Sequence, residues 1–140
     1  MKNHFLALII FILAVNFSIA QTAVLYNSNP LFYTDGGAVV FVDGSITNDT
    51  SGHIQNNGDI YLTKDWINNE VAGALDATKG KVLLAGTTQN IKGAQTTTFN
   101  NLDCNGTGLK TLEINTIVGG SSGVLSLKIH LLHLIQINLL

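Results

Sequence analysis

The side chains that could do chemistry in this chain are few and widely spaced. Cys104 is the single cysteine, so it could act as a nucleophile or redox thiol but cannot close an intramolecular disulfide. A reactive thiol needs an activating base nearby, and the sequence identifies none for it. Leu102 and Cys104 alternate onto one side of the short run Asn101 to Asn105, and the expectation is a small buried apolar side chain. Asp59, Asp65 and Glu70 are close in sequence and could supply the carboxylate pair of a glycoside hydrolase. That chemistry requires a separation of roughly 5 to 9.5 Å across a groove, which sequence spacing does not set.

Other candidates read as ordinary structure. Asp35-Gly36-Gly37, Asp43-Gly44 and Asn57-Gly58-Asp59 resemble calcium loops, but each brings one aspartate where calcium takes about six or more oxygens. They are expected to be turns. His130 and His133 could share a metal on a helix, yet no carboxylate or third histidine joins them. Tyr26, Phe32 and Tyr33 could form a carbohydrate-facing aromatic patch or pack locally. Asn48-Asp49-Thr50 and Asn105-Gly106-Thr107 match glycosylation acceptors, which matter only in a eukaryotic secretory pathway. The expectation is therefore no catalytic, cofactor-binding or metal-ligating residue, and no cofactor.

The elements that would have to position such groups are short. From Gly80 to Leu127 apolar alternations recur every eight to twelve residues or so, separated by Gly, Asn and Thr, which predicts many brief strands and tight turns. Val82 and Leu84 share a face, and Leu83 points the other way. Ile91 lies in a short rung, Phe99 opens the run in which Leu102 and Cys104 face inward, and Leu112 with Ile114 and Leu125 with Leu127 continue the alternation. Upstream, Ala38 to Val42 is a short strand, Ile46 and Ile54 are single inward residues, and DIYLTKDWINN forms the clearest strand pair. There Trp66 is expected in the core with Ile60 and Leu62. Gln21 to Thr34 reads as a lead-in or irregular first strand, and Glu70 to Lys79 as a loop. Val40 to Ser45 echoes Val82 to Thr87 at an offset of 42 residues, which suits two coils of about 20 residues each. Strands this short must bury one face, either in a β-solenoid or in an antiparallel sandwich. The parallel β-helix-like solenoid is the predicted fold, all-β, with a small β-sandwich as the alternative, since hairpins favour longer strands and two-residue turns.

Both ends of the chain differ from this block. Residues 1–20 have the anatomy of a signal peptide: Lys2, the apolar run Phe5 to Val15, and small residues at Ser18 and Ala20, with cleavage expected after Ala20. Eleven apolar residues fall short of the ~20 that span a bilayer, so no stable transmembrane span is expected after cleavage. The solenoid domain is placed at 21–127. The tail, 128–140 (KIHLLHLIQINLL), drops Gly, Thr, Asp and Glu. It reads either as out-of-frame sequence outside the evolved fold of a truncated chain, or as an apolar cap on the open solenoid end. Without Lys2, six Lys face nine Asp and Glu and there is no Arg. Nucleic-acid binders cluster Lys and Arg, so nucleic acid is not an expected partner.

One resemblance emerges. Val82 to Leu84, Gly86-Thr87, Gln89, Ile91, Gly93 and Thr98-Phe99-Asn100-Asn101-Leu102 resemble the repeat block of large secreted surface proteins of Bacteroidetes-type bacteria. Asn57 to Leu62, with Trp66 and Asn68-Asn69, resembles the strand preceding that block. The likeness covers about Gly58 to Leu127. Lys64 stands where Gly is usual, and Cys104 where Ile or Val is usual. The resemblance implies a β-solenoid-like extracellular stalk, often part of a longer protein ending in a sorting domain; none is visible here. Together these readings predict a secreted or cell-surface, non-catalytic structural or adhesin-like protein, a fragment of a longer repeat protein. The alternative is a polysaccharide-binding or polysaccharide-degrading solenoid. Surface glycans, other surface proteins, and further copies meeting at open solenoid ends are the expected partners.

Overall fold

A computed structural model describes residues 23–28, 31–70, 75, 79–119 and 122–128. The expected signal peptide, and the tail beyond Lys128, lie outside the described residues. Among the described residues the chain forms strands of three to five residues and no helix: β1 (Ala23–Asn27), β2 (Phe32–Thr34), β3 (Val39–Val42), β4 (Gly44–Asn48), β5 (Ile54–Asn56), β6 (Asp59–Leu62), β7 (Trp66–Asn68), β8 (Lys81–Leu84), β9 (Gln89–Gly93), β10 (Thr97–Phe99), β11 (Asn101–Cys104), β12 (Lys110–Leu112), β13 (Thr116–Val118) and β14 (Leu125–Leu127).

Each strand pairs with the strand one turn away, never with its sequence neighbour, and every pairing is parallel. One sheet runs β1-β4-β7-β9-β12 and a second runs β3-β6-β8-β11-β14. The third side is shared by the pairs β2-β5 and β10-β13, with Leu75 bridging to Ile54 between them. Five passes through each long sheet make about four turns of a parallel β-solenoid. Hairpins are absent from the described residues, so the sandwich alternative is set aside. The 42-residue echo is real: Val40 pairs with Ile60 and Ile60 with Val82, two turns along one column.

The core is a set of stacked columns. Leu25, Ile46, Trp66, Ile91 and Leu112 follow one another in register, at offsets of 21, 20, 25 and 21 residues. Val40, Ile60, Val82, Leu102 and Leu125 form the facing column. Strand alternation puts these side chains inward, and Ile46, Ile60, Trp66, Val82, Ile91, Phe99 and Leu102 are buried.

Three sequence expectations change. In the segment read as a lead-in or irregular first strand, the described residues instead form two strands, β1 and β2, which build two sides of a first coil. The strands β6 and β7 are not a pair: the chain turns a corner at Thr63–Asp65, and Trp66 joins a different sheet from Ile60 and Leu62. Asparagine is not only a turn residue here. Asn27, Asn48 and Asn68 end β1, β4 and β7 in one register and are buried. Asn27 Nδ2 donates to Asn48 Oδ1 at 2.9 Å, Asn48 Nδ2 to the Gly52 carbonyl at 2.8 Å, and Asn68 Nδ2 to the Thr96 carbonyl at 3.0 Å. A buried corner needs such partners because its backbone groups leave the sheet ladder.

Gly93 ends that ladder. It pairs in register with Asn68, has φ of +129°, and a Cβ there would lie 2.1 Å from the Asn68 carbonyl oxygen. Only glycine permits both the conformation and the approach. Gly93→Ala is expected to destabilise the fold by about 1–3 kcal/mol, read as a lower urea midpoint at unchanged slope; an unchanged midpoint would contradict the register.

Candidate functional surface

Two of the three acidic residues singled out from sequence, Asp59 and Asp65, are tied into the stack by their carboxylates. Asp59, opening β6, faces Lys81 of the next turn at 3.3 Å. Asp65, at the corner before β7, accepts from Lys92 Nζ at 2.6 Å through Oδ2 and from the Asn90 N–H at 2.9 Å through Oδ1. The Glu70 N–H donates to Asn68 Oδ1 at 3.2 Å, which places Glu70 beside the asparagine ladder. Asp59 and Asp65 thus each meet a lysine of the following turn.

Burial by itself pushes the Asp65 carboxyl up, but the hydrogen bonds from Lys92 and Asn90 outweigh it and hold the group below its ordinary range. A lowered folded value favours the folded state above the unfolded carboxyl pKa of about 3.9. That contribution is lost as pH falls through the folded value. Wild type is therefore expected to lose stability below about pH 4 more steeply than Asp65→Asn. Near neutrality the variant should be less stable by roughly 0.5–1 kcal/mol, the scale of a part-exposed pair. Unfolding midpoints compared at pH 3 and pH 7 test this, and parallel profiles would contradict it.

Cys104 closes β11 against the core, in register with Leu127. Burial pushes its thiol up; Lys110 pulls the other way but less strongly. The ammonium of Lys110 is directed elsewhere, donating to the Gly86 and Thr87 carbonyls at 2.7 Å each. Cys104 thus sits as the packed apolar side chain its alternation suggested. The aspartate-glycine motifs are turns: the Ala38 N–H closes on the Asp35 carbonyl at 3.1 Å, with φ of +81° at Gly37. Among the described residues no three His, Cys, Asp or Glu gather as a metal site. Within the first acceptor-like triplet, Asn48 is buried with its amide bonded inside the fold. His130 and His133 lie outside the described residues.

Of the two readings of Tyr26, Phe32 and Tyr33, the shared aromatic patch does not form. Tyr26 and Tyr33 point outward from two different sheets, and Phe32 points inward against the core. Tyr26 donates to the Asp49 carboxylate of the next turn, which raises the Tyr26 pKa and lowers that of Asp49. No family model, curated protein or solved structure matches the chain.

What the geometry does bring together is apolar surface at the two ends. The large exposed apolar side chains of the described residues are Val24, Tyr26, Leu31, Tyr33, Val39 and Phe41 in the first coil, and Leu109, Leu112, Ile117, Val124, Leu125 and Leu127 in the last. None belongs to a middle coil. In the middle coils the outward register positions carry mostly polar side chains, Ser45, Thr47, Gln55, Asp59, Asn90, Lys92, Thr98 and Asn101, and the apolar Ile67, Tyr61 and Leu83 among them are not exposed. Along the outer column Phe41-Tyr61-Leu83-Asp103-Ser126, Phe41 is 64% exposed while Leu83 is 4% exposed. Sequence alternation set Leu112, Leu125 and Leu127 on the apolar face of their strands, and their register agrees. They are nevertheless half exposed because the described residues place no further coil over them.

Proposed function

We propose that this chain is an exported, non-catalytic structural solenoid of the cell surface, adhesin-like in role. The observation that carries the reading is how its reactive groups are used. Asp59 and Asp65 meet lysines of the next turn, Cys104 is half-buried against the core with its thiol pKa raised, and Asn27, Asn48, Asn56, Asn68 and Gln89 are buried. Polar chemistry of this kind holds a rod together coil by coil. The apolar run Phe5 to Val15 with small residues at Ser18 and Ala20 supports export, and the resemblance of Gly58 to Leu127 to secreted surface repeats supports the setting. Among the described residues no helix is long and apolar enough to cross a membrane.

The test is expression of the full chain in a Gram-negative host, followed by fractionation and intact-mass measurement. The expected product begins at Gln21 and leaves the cytoplasm. An uncleaved chain kept in the cytoplasm would overturn export. Release of reducing ends from a polysaccharide panel, abolished in Asp65→Asn, would replace the structural reading with an enzymatic one.

A further inference from the structure

We propose that the two ends of the solenoid are complementary, so that the last coil of one copy receives the first coil of the next and copies stack head to tail. This deepens the structural reading by naming the partner as a second copy of this chain. Three observations converge on it.

First, exposed large apolar side chains are confined to the two end coils. Second, the register continues across the joint. Extending the columns by one turn sets the second copy's Leu25 over Leu112 and its Val40 over Leu125, repeating the contacts of Leu25 on Ile46 and Val40 on Ile60. The edges that would pair, β12 and β14 on one copy and β1 and β3 on the other, are the outermost strands of the two long sheets. Parallel edges of this kind bond a further strand without rearrangement.

Third, the joint is charge-matched. Lys128 donates its N–H to the Cys104 carbonyl at 3.3 Å, as Thr63 donates to the Val42 carbonyl at 3.2 Å. Lys128 therefore holds in the last coil the place that Asp43 holds in the first and Thr63 in the second. Thr63 Oγ1 donates to Asp43 Oδ1 at 2.8 Å across one turn. One turn further on, the second copy's Asp43 falls over Lys128, an exposed cation over an exposed carboxylate. The protein already uses this device between turns in the Asp59–Lys81 pair. An interface joining two different ends does not close on itself, so it propagates as a filament.

The experiment uses the full chain purified after export, in sedimentation velocity over a concentration series and in negative-stain electron microscopy. Open-ended oligomers growing with concentration are expected, each copy adding about 24 Å of length from five rungs at ~4.8 Å. Lys128→Asp and Asp43→Lys should each weaken association about tenfold, and the double exchange should restore it. Circular dichroism confirms that each variant is folded. A chain that stays monomeric at high concentration would overturn the proposal. Association indifferent to the charge exchanges would overturn it too, by showing non-specific apolar aggregation. Export is read by fractionation and intact mass and assembly by sedimentation of the exported product, so failure to assemble leaves the structural reading standing.

Discussion

Replacing Trp66 by alanine is expected to lower the unfolding free energy by about 3–5 kcal/mol, the range for emptying a large aromatic site in a packed core. Trp66 is 1% exposed and stacks between Ile46 and Ile91 in its column. Its ring meets Phe99 edge-on, with centroids 5.2 Å apart at 63°. That arrangement adds to the area term and joins two sides of the coil. The indole Nε1 donates to Thr97 Oγ1 at 3.2 Å, so alanine would also strip a buried hydroxyl of its donor. Trp66→Phe keeps most of the ring packing and should cost clearly less. Urea unfolding of the three proteins orders the effects. As the only tryptophan, Trp66 also reports on itself. Its emission should be blue-shifted and shielded from quenchers in the folded chain. Red-shifted, freely quenched emission would contradict its place in the core.

Gln89→Leu is expected to cost about 3 kcal/mol or more, although leucine is apolar and of similar size. Gln89 is fully buried. Its Oε1 accepts from the Gly86 N–H at 2.8 Å, and its Nε2 donates to the carbonyls of Leu62 at 3.0 Å and Lys64 at 2.6 Å. These three backbone groups lie at a corner, where the chain leaves one sheet for the next; the Leu62 carbonyl also accepts from the Ala85 N–H at 2.9 Å, whereas the Gly86 N–H and the Lys64 carbonyl depend on Gln89. Leucine would leave those two without their partner, at about 1–3 kcal/mol for each buried group. Lys64→Ala removes an exposed side chain but keeps the carbonyl, and should change stability by less than about 0.5 kcal/mol. If Gln89→Leu lost under 1 kcal/mol while Lys64→Ala lost as much, the corner role of Gln89 would be wrong.

Both predictions also mark where sequence reading succeeds and where it stops. Trp66 was expected in the core because it follows Ile60 and Leu62 at strand spacing. The position holds, yet the reason differs: the turn at Thr63–Asp65 carries it to another sheet. Nothing in the string marked Gln89 as buried, because a polar residue next to glycines and threonines carries the same local signal in an exposed turn. For the same reason nothing local separates the buried asparagines of the ladder, Asn27, Asn48 and Asn68, from exposed ones. The end-coil surface was half visible: Leu112, Leu125 and Leu127 fell on the apolar face of their strands, but Val24, Tyr26 and Tyr33 were assigned to a lead-in or irregular first strand, so the apolar first coil went unnoticed.

The sequence by itself determined the class of fold. Two-residue alternation in brief runs, broken by Gly and Asn, can bury its apolar face only by stacking or by sheet-on-sheet packing, and the 42-residue echo favoured stacking. These signals are local, carried by the backbone's period of two. The pairing of strands is not local. Offsets along the two long columns vary from 20 to 25 residues, because the stretch of chain between two rungs can differ in length without disturbing their register. Only the tertiary structure decided which residues share a column, which polar side chains are drawn inside to satisfy the corners, and which coils are left at the ends. Each of those outcomes depends on what lies one turn away, some twenty residues along the chain, where no short-range pattern reaches.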